Sequence, residues 1–570
     1  MRRELAGHGA ARGMALGRAR LREPHRLEVE EQLIEPDLVE VERERMREAL
    51  AVAREELGRM RERIRGAVEQ EFGEFLDLHA MLLDDPELTQ GLDELIRLGR
   101  YSAAYALRLQ RDRLAAVFDG IDDPYLRSRR EDLDHVVGRV YAALQRRPMP
   151  QIIGLAGEVL VTDSVAPVEL AQLSESGVVA IVTAQGSALS HAAILARSLH
   201  LPMVVGVHEA LLDINDGDAL MVDGSSGRVI VEPDADDLRD YRDSERIGQR
   251  EQRALARLRN APSRTRDGVD IGLYANAESR DDVVQAHALG AAGVGLYRTE
   301  FMFLQRRELP DEDEQFLAYR NLVLGMAGRP VTIRTLDLGA DKAERSGLEL
   351  PAEPNPALGL RGVRQCLANP PLFCAQLRAI LRASAYGPVR ILVPMVSCGR
   401  EMRAVRGLLQ QCAAALREEG HAVGERIELG AMIEVPAAAL ALPSLVPHCD
   451  FFSVGTNDLV QYLLAADRGN DDLAELCSPL HPAVLRVLHG VFAECAGASR
   501  PVSVCGEMAG DPRYTRLLLA LGLRDFSMYP GSLLEVRRAV RDSELDALRR
   551  QGRRLLRLEP EALERWLAST

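Results

Sequence analysis

The strongest constraint on the fold is a regular alternation of strand-like and helix-like segments in the C-terminal half of the chain. From Thr265 onward, strand-like and helix-like stretches alternate, and the strand candidates are IGLYAN, GVGLYR, VTIRTLD, RILVPM, LGAMIEV, FFSVGTN, PVSVCGE and DFSMY. Roughly eight βα units in about 300 residues is the pattern typical of a (β/α)8 barrel. The sequence therefore predicts a TIM barrel over residues 265–570.

The rest of the 570-residue chain predicts further domains, because this length exceeds what one hydrophobic core usually supports. Residues 35–150 are almost continuously helical in pattern, with breaks at the Asp-Pro pairs of LLDDPEL and DGIDDPYL, which indicates helical hairpins. Residues 1–34 and 151–233 contain short β-branched runs and one helix, typical of a compact α/β domain. Residues 234–264 are charged on nearly every face and predict an exposed linker helix. The predicted fold class is multidomain α/β.

Composition excludes several classes of function. The formal net charge of −15 disfavours nonspecific nucleic-acid binding and favours a basic protein partner or small ligands held by local arginine clusters. No uninterrupted apolar stretch is long enough to cross a bilayer, and the basic opening MRRELAGHGAARG leads into no apolar signal segment. We therefore expect a cytoplasmic protein without membrane insertion. The eight cysteines form no metal-binding spacing, which indicates reduced thiols.

Polar side chains occur at the predicted C-terminal ends of the barrel strands, which converge on one mouth in a barrel. Arginines there could clamp phosphate and carboxylate oxygens, and two carboxylates could hold Mg²⁺ whose other positions go to water and a phosphorylated substrate. The pattern predicts a site for a small anion with two or three charges. The arginine candidates are Arg298, Arg334, Arg361 and Arg468, the carboxylates are Glu434 and Asp458, and an amide and a thiol come from Asn457 and Cys505.

Two of the candidate side chains suit group transfer. Cys505 ends a predicted strand, and a thiol of ordinary pKa, about 8.5, stays largely protonated near neutrality and can act as a general acid toward carbon. His191 follows the natural N-cap Ser190 in QGSALSHAAILARSLHLPMVVG, among free N–H groups that favour an anion. A neutral imidazole is a nucleophile toward phosphorus, so this stretch predicts a phosphohistidine, provided that the chain also holds a phosphoryl donor.

The motifs together resemble those of phosphoenolpyruvate-protein phosphotransferase, enzyme I of the bacterial sugar phosphotransferase system. The similarity is most specific in the barrel, in GVGLYRTEFMF, IRTLDLGADK, NPALGLRGVR, MIEVPAAA, DFFSVGTNDLVQYLLAADRGND and VCGEMAGD. It extends to EFLDLHAMLLDDPEL in the helical region and to LSHAAILARSLHLPMVVG around the histidine. The resemblance covers nearly the whole chain.

The resemblance implies a role for each candidate residue. His191 matches the phosphorylated histidine, Glu434 and Asp458 match the Mg²⁺ ligands, and Cys505 matches the acid that protonates the enolate. The substrate-binding positions are matched by Arg298, Arg334, Arg361, Asn457 and Arg468.

The resemblance also implies the reaction and the division of labour among the domains. The phosphoryl group of phosphoenolpyruvate passes to His191 and then to a histidine of the carrier protein HPr or an HPr-like paralogue, with release of pyruvate. The α/β domain would be a swivelling phosphohistidine domain, and the helical subdomain over residues 35–150 would bind HPr. The barrel would bind phosphoenolpyruvate and form a homodimer.

Three stretches depart from the family pattern. Leu189 stands where the family usually has a threonine, Ala11-Arg12-Gly13 replaces Ser-Pro-Gly, and GADKAERSG diverges after Lys342. The loss of the threonine hydroxyl leaves open a divergent paralogue in a regulatory relay, or a noncatalytic scaffold that binds phosphoenolpyruvate or HPr. Pyruvate phosphate dikinase and phosphoenolpyruvate synthase share the histidine domain and a similar barrel. They also need a large nucleotide-binding domain, and the region before the histidine unit contains no glycine-rich phosphate loop.

Overall fold

The chain folds into two compact units, Met1–Arg250 and Glu251–Thr570, each with its own hydrophobic core. The computed structural model describes residues 2–22, 29, 31–63, 76, 79–119, 124–145, 155–187, 190–199, 201–303, 309–339, 353–467, 473 and 476–569. Within these ranges, no helix has the length and apolar character needed to cross a bilayer.

The N-terminal unit contains a mixed sheet of eight strands in the order β1-β8-β7-β3-β4-β5-β6-β2. The neighbours from β3 to β6 are parallel, and the other pairs are antiparallel. The strands are β1 (Arg3–Ala6), β2 (His8–Ala11), β3 (Met14–Arg22), β4 (Glu158–Thr162), β5 (Ala180–Thr183), β6 (Met203–Val205), β7 (Ala219–Asp223) and β8 (Arg228–Val231).

Strands β1 and β2 are additions to the α/β domain that the sequence pattern did not predict. Each has four residues, and β1 and β2 form the two edges of the sheet. Most of the β1 side chains are exposed, so this segment lacks the apolar alternation that indicates a strand. The pairing of β1 with β8 and of β2 with β6 supplies the stabilisation that local sequence does not.

The helical hairpins that the sequence predicts share a hydrophobic core with this sheet. Asp85 caps the helix Pro86–Arg97 by accepting a hydrogen bond from the Glu87 amide at 2.8 Å, and Pro86 occupies the first position of this helix. Residues 79–84 are also helical. The named helices are α1 (Val39–Arg63), α2 (Pro86–Arg97), α3 (Ala103–Asp119), α4 (Pro124–Leu144), α5 (Pro167–Glu175), α6 (His191–Ser198), α7 (Ala210–Asp213) and α8 (Ala235–Ala256).

The C-terminal unit contains a closed barrel of eight parallel strands, which confirms the predicted (β/α)8 fold. Each observed strand overlaps one predicted candidate and ends before or at the polar residues that follow it. The strands are β9 (Gly272–Ala277), β10 (Val294–Tyr297), β11 (Val331–Arg334), β12 (Val389–Val393), β13 (Glu428–Ile433), β14 (Phe451–Val454), β15 (Val502–Val504) and β16 (Asp525–Met528).

Helices between and after the strands contribute apolar side chains to the core around the barrel. They are α9 (Arg280–Ala288), α10 (Glu312–Gly325), α11 (Val363–Ala368), α12 (Pro370–Ala383), α13 (Gly399–Glu418), α14 (Pro436–Leu440), α15 (Leu442–Leu445), α16 (Thr456–Leu464), α17 (Pro482–Gly497), α18 (Glu507–Gly510), α19 (Pro512–Leu521), α20 (Leu533–Arg541), α21 (Leu545–Leu555) and α22 (Pro560–Ser569).

A buried arginine on α20 fastens the segment after α8 to the barrel. Arg537 is only 1% exposed, and its guanidinium donates hydrogen bonds of 2.7 to 3.1 Å to four carbonyl groups and one hydroxyl. The acceptors are the carbonyls of Leu258, Arg259, Leu289 and Gly290 and the Oγ of Ser263. Helix α8 itself has no buried residue along its length, in agreement with its charged pattern.

Candidate active site

The closed parallel barrel places the C-terminal ends of its strands at one mouth, and most of the predicted site residues lie there. Strand β11 ends at Arg334, and Arg298, Glu434 and Cys505 directly follow β10, β13 and β15. Asn457 and Asp458 lie in the first turn of α16, three and four residues after β14. The mouth therefore combines cationic, anionic, amide and thiol groups.

Arg334 lies between two buried carboxylates. Its Nη2 is 3.0 Å from Glu300 Oε2, and its Nη1 is 3.3 Å from Asp337 Oδ2. Burial lowers the pKa of Arg334, but the charges of Glu300, Asp337 and Glu434 outweigh burial, so its pKa is raised and the guanidinium stays charged. These contacts hold the positively charged guanidinium of Arg334 in a site that is largely closed to water.

Arg361 also pairs with Asp337. Its Nε and Nη2 donate to Asp337 Oδ1 and Oδ2 at 3.0 and 2.9 Å, a two-bond arrangement that fixes the plane of the guanidinium. Nη2 is also 3.8 Å from Asp458 Oδ2, and Nη1 donates to the Tyr462 hydroxyl at 3.3 Å. Asp337 thus links two of the four arginines that the sequence analysis assigned to substrate binding.

Glu434 is buried, and its Oε1 accepts a 2.6 Å hydrogen bond from the Met395 amide. Burial raises the pKa of Glu434 to about 8, and the nearby charges of Asp337 and Asp458 act in the same direction. A carboxylate in this position is stabilised when a cation joins it. Carboxylate oxygens are ligands that Mg²⁺ accepts, so Glu434 together with Asp458 fits a divalent-cation site by its donor atoms and by the charge it would compensate.

Arg298 follows β10, the strand beside β11, and belongs to a second polar group. Its Nη1 donates to Glu278 Oε1 at 2.5 Å and to the Tyr529 hydroxyl at 2.8 Å, and that hydroxyl donates to Glu278 at 3.0 Å. The Arg298 side chain is 28% exposed, so it remains accessible to a ligand while Glu278 orients it.

Asn457 is held by Glu507 through two reciprocal hydrogen bonds. Its Nδ2 donates to Glu507 Oε1 at 2.8 Å, and the Glu507 amide donates to its Oδ1 at 3.0 Å. Gly506 makes this approach possible, because a Cβ there would lie 1.9 Å from Thr456 Oγ1 and 2.9 Å from Asn457 Oδ1.

Cys505 is buried near the carboxylate of Glu434. Its Sγ donates to the Val454 carbonyl at 3.5 Å, and its own carbonyl accepts from Asn276 Nδ2 at 3.0 Å. Burial raises the pKa of the Cys505 thiol to about 11. The side chain therefore holds a proton near neutral pH, as a general acid requires.

His191 begins helix α6 in the N-terminal unit. Ser190 is its N-cap, as the sequence predicts, and the Ser190 Oγ accepts a 3.3 Å hydrogen bond from the Ala193 amide. The side chain of His191 lies outside the described part of the structure, as do residues Leu189 and Arg468. Their assigned roles remain predictions.

The sequence analysis did not single out the carboxylates that orient the arginines. Glu300 follows Arg298 by two residues and Asp337 follows Arg334 by three, so both lie in the loops after strands that had already been marked. Glu278 follows β9 in the same way, and Tyr529 follows β16. Extending the strand-end rule by a few residues would have found all four.

Comparison with known proteins identifies the family. Residues 252–545 match the PEP-binding domain of PEP-utilising enzymes, residues 154–227 match their mobile domain, and residues 6–129 match their N-terminal domain. The chain is 45% identical over 556 residues to phosphoenolpyruvate-protein phosphotransferase of Cupriavidus necator, covering 95% of each chain. The chain belongs to the phosphoenolpyruvate-protein phosphotransferase family.

Further members of the phosphoenolpyruvate-protein phosphotransferase family match at similar length. The protein of Geobacillus stearothermophilus is 39% identical over 538 residues, covering 94% of this chain and 93% of the relative. The protein of Bacillus subtilis is 38% identical over 539 residues, covering 94% of each. These matches confirm the resemblance to enzyme I of the sugar phosphotransferase system and favour it over the dikinase and synthase alternatives.

Proposed function

We propose that this protein transfers the phosphoryl group of phosphoenolpyruvate to His191 and then to a histidine of HPr or an HPr-like carrier, releasing pyruvate. The observation that supports the proposal best is the barrel mouth, where Arg334 and Arg361 are held by one buried carboxylate, Asp337, next to Glu434 and Asp458. This set of charges suits a substrate that carries both a phosphate and a carboxylate.

Substrate binding depends on cations that are positioned in advance. Phosphoenolpyruvate oxygens would contact Arg298, Arg334 and Arg361, and Asn457 and Arg468 would complete the substrate site. Because carboxylates already fix the guanidinium groups of Arg298, Arg334 and Arg361, little side-chain entropy is lost when the anion binds. The same fixed charges stabilise the phosphoryl group as it moves, because phosphoryl transfer depends mainly on positioning and electrostatics.

Glu434 and Asp458 would hold Mg²⁺. When bound, this cation neutralises negative charge on the phosphoryl oxygens and orients the substrate. The burial of Glu434 favours this role, since an unpaired carboxylate there is destabilised and gains a partner when the cation binds.

In the first transfer, His191 would supply the nucleophile and Cys505 the proton. A nitrogen of His191 attacks phosphorus, the bond from phosphorus to the bridging oxygen breaks, and its electron pair stays on the enolate of pyruvate. The enolate carbon then takes the proton from Cys505 Sγ, and solvent restores the proton to the thiolate. Pyruvate and phosphohistidine are the products.

The second transfer requires a partner protein. Residues 35–150 would dock HPr, and the net charge of −15 favours a basic docking surface on that carrier. The α/β domain, residues 1–34 and 151–233, would carry phosphorylated His191 from the barrel to the carrier by moving on the linker of residues 234–264. We further propose a cytoplasmic homodimer formed through the barrel.

Intact-mass measurement tests the proposal. The purified full-length chain, incubated briefly with phosphoenolpyruvate and Mg²⁺, should gain one acid-labile phosphoryl group, and HPr should remove it. His191→Ala should gain none, and omission of Mg²⁺ should prevent the gain. Phosphoenolpyruvate binding without any gain of mass would contradict phosphotransfer and favour the noncatalytic alternative, with the altered histidine loop as its first explanation.

A further inference from the structure

Three metal-ligand side chains converge inside the helical region, in the N-terminal unit and apart from the barrel mouth. They are His79, from the helical residues 79–84, and Asp132 and His135, from α4. One donor atom from each lies within 4.8 Å of the other two, and His79 Nε2 is 3.6 Å from Asp132 Oδ1. The function proposed above uses none of these side chains.

The spacing of these residues suits a shared ligand. Asp132 and His135 are separated by three positions on α4, so their side chains lie on the same helix face, and His79 approaches from another helix. The rings of His79 and His135 are 6.3 Å apart between centroids, with Asp132 completing the triangle. A carboxylate and a histidine at this helical spacing form part of metal sites in the cores of helix bundles.

One imidazole nitrogen of the triad is buried and can still bind a ligand. His79 and Asp132 are buried. The Nδ1 atom of His135 is shielded from solvent and has no hydrogen-bond partner among the described residues. A buried polar atom without a partner is destabilising, and a cation that accepts its lone pair would remove that cost.

Two other charged side chains, Glu169 and Arg139, lie near the triad. Glu169 is paired with Arg22, with contacts of 3.0 Å at both carboxylate oxygens. Arg139, one helical turn beyond His135 on α4, is a buried cation that opposes an added positive charge, and the carboxylates that act on it are Glu169 and Glu56. The triad thus provides one anionic and two neutral donors when both imidazoles are unprotonated.

We infer that His79, Asp132 and His135 bind one divalent transition-metal ion of the zinc type. Two imidazoles and one carboxylate favour such an ion over Mg²⁺ or Ca²⁺, which prefer oxygen ligands. Three protein ligands leave the fourth tetrahedral position of the ion open. The bound ion would cross-link residues 79–84 to α4, and this site is independent of phosphotransfer at the barrel.

Cobalt binding to the full-length protein tests the inference. After treatment with a chelator, the wild type should bind one equivalent of Co²⁺ with the visible absorption of a tetrahedral site, and Zn²⁺ but not Mg²⁺ should displace it. Asp132→Asn and His135→Gln should weaken binding by more than the roughly 10- to 100-fold that loss of an outer-shell partner costs. The control His208→Gln, at an exposed histidine in the same unit, should bind Co²⁺ like the wild type. Equal binding by the wild type and His135→Gln would overturn the inference.

X-ray absorption at the zinc edge gives a second test that needs no variant. The wild-type protein loaded with one equivalent of Zn²⁺ should show nitrogen and oxygen neighbours only. Sulfur in the first coordination shell would assign the ion to cysteines and overturn the site, as would failure of the wild type to retain Zn²⁺ through dialysis.

Discussion

Asp337 connects the two arginines on which the anion site depends. Its side chain is 1% exposed, it forms two hydrogen bonds to Arg361, and it lies 3.3 Å from Arg334. A buried carboxylate is unfavourable unless it is paired, so the three groups stabilise one another and are weakened together when one is lost. The pairing of these buried charges therefore fixes the side chains of Asp337, Arg334 and Arg361 in place.

Replacing Asp337 by asparagine should reduce both stability and substrate affinity. The change keeps the shape but leaves two buried guanidinium groups without their shared anion, so we expect a loss of about 3 to 5 kcal/mol in the free energy of unfolding of this unit. Urea denaturation measures the loss, and the KM for phosphoenolpyruvate should rise because Arg361 is no longer fixed. The control Asp542→Asn, at an exposed ion pair with Arg266, should change neither. Equal effects of the two variants would contradict this account.

Cys505 should remain a proton donor across the usual assay range. Burial raises the pKa of its thiol to about 11, so the protonated form persists below that pH and is lost only as the pH rises through it. Pyruvate formation should therefore show no decline with an apparent pKa near the ordinary thiol value of about 8.5. A decline at that pH in the wild type that vanishes in Cys505→Ser would show that the thiol ionises normally.

Removal of the thiol should slow pyruvate formation by about 10²- to 10⁴-fold, the usual contribution of general acid catalysis. Cys505→Ala tests this by coupled assay of pyruvate. The control Cys412→Ala, at a buried cysteine on α13 outside the mouth, should keep wild-type activity. A fully active Cys505→Ala variant would remove the thiol from the mechanism.

Helix α6 is short, so its first turn depends strongly on the cap. The helix spans His191–Ser198, and the Ser190 Oγ accepts the Ala193 amide at 3.3 Å. An eight-residue helix has little stability of its own, and packing together with capping must fix its start. Any change at the cap therefore alters the position of the backbone that carries His191.

Ser190→Ala should destabilise the N-terminal unit by about 1 kcal/mol, since the alanine side chain cannot accept the orphan amide. We also expect slower phosphorylation of His191, which quenched-flow mass spectrometry would measure. Ser190→Thr retains a hydroxyl and should restore most of both properties. If alanine and threonine behave alike, the cap does not position the histidine.

Sequence patterns predicted the large elements better than the small ones. All eight barrel strands could be predicted because each lies in a short strand-like run between helical stretches, whereas β1 and β2 have four residues each and are stabilised by pairing with distant strands. At the mouth, the strand-end rule found Arg298 and Arg334. It stopped short of Glu300 and Asp337, which lie two and three residues further along the chain and contact Arg334 through the conformation of their loops.

The two compact units each have a separate core, and α8, which runs across the division between them, has no buried residue. Little apolar surface on this helix couples unfolding of one unit to unfolding of the other. The molecule should therefore behave as two cooperative systems on one chain.

Calorimetry should resolve two transitions. In His191→Ala, which cannot be phosphorylated, phosphoenolpyruvate with Mg²⁺ at a hundred times its Kd should stabilise the barrel by about 2.7 kcal/mol and raise one transition only. Asp337→Asn should lower that same transition and leave the other unchanged. A single transition that moves as a whole would show that the units unfold together.

The buried guanidinium of Arg537 sets a mechanical boundary. Because it binds the carbonyls of Leu258 and Arg259 and those of Leu289 and Gly290, the segment after α8 belongs to the barrel as a rigid part. Helix α8 therefore leads into a backbone segment that is fixed at Leu258 by the hydrogen bond from Arg537. If residues 1–34 and 151–233 swivel as proposed, the hinge must lie before Leu258, because Arg537 fixes the backbone of Leu258 and Arg259.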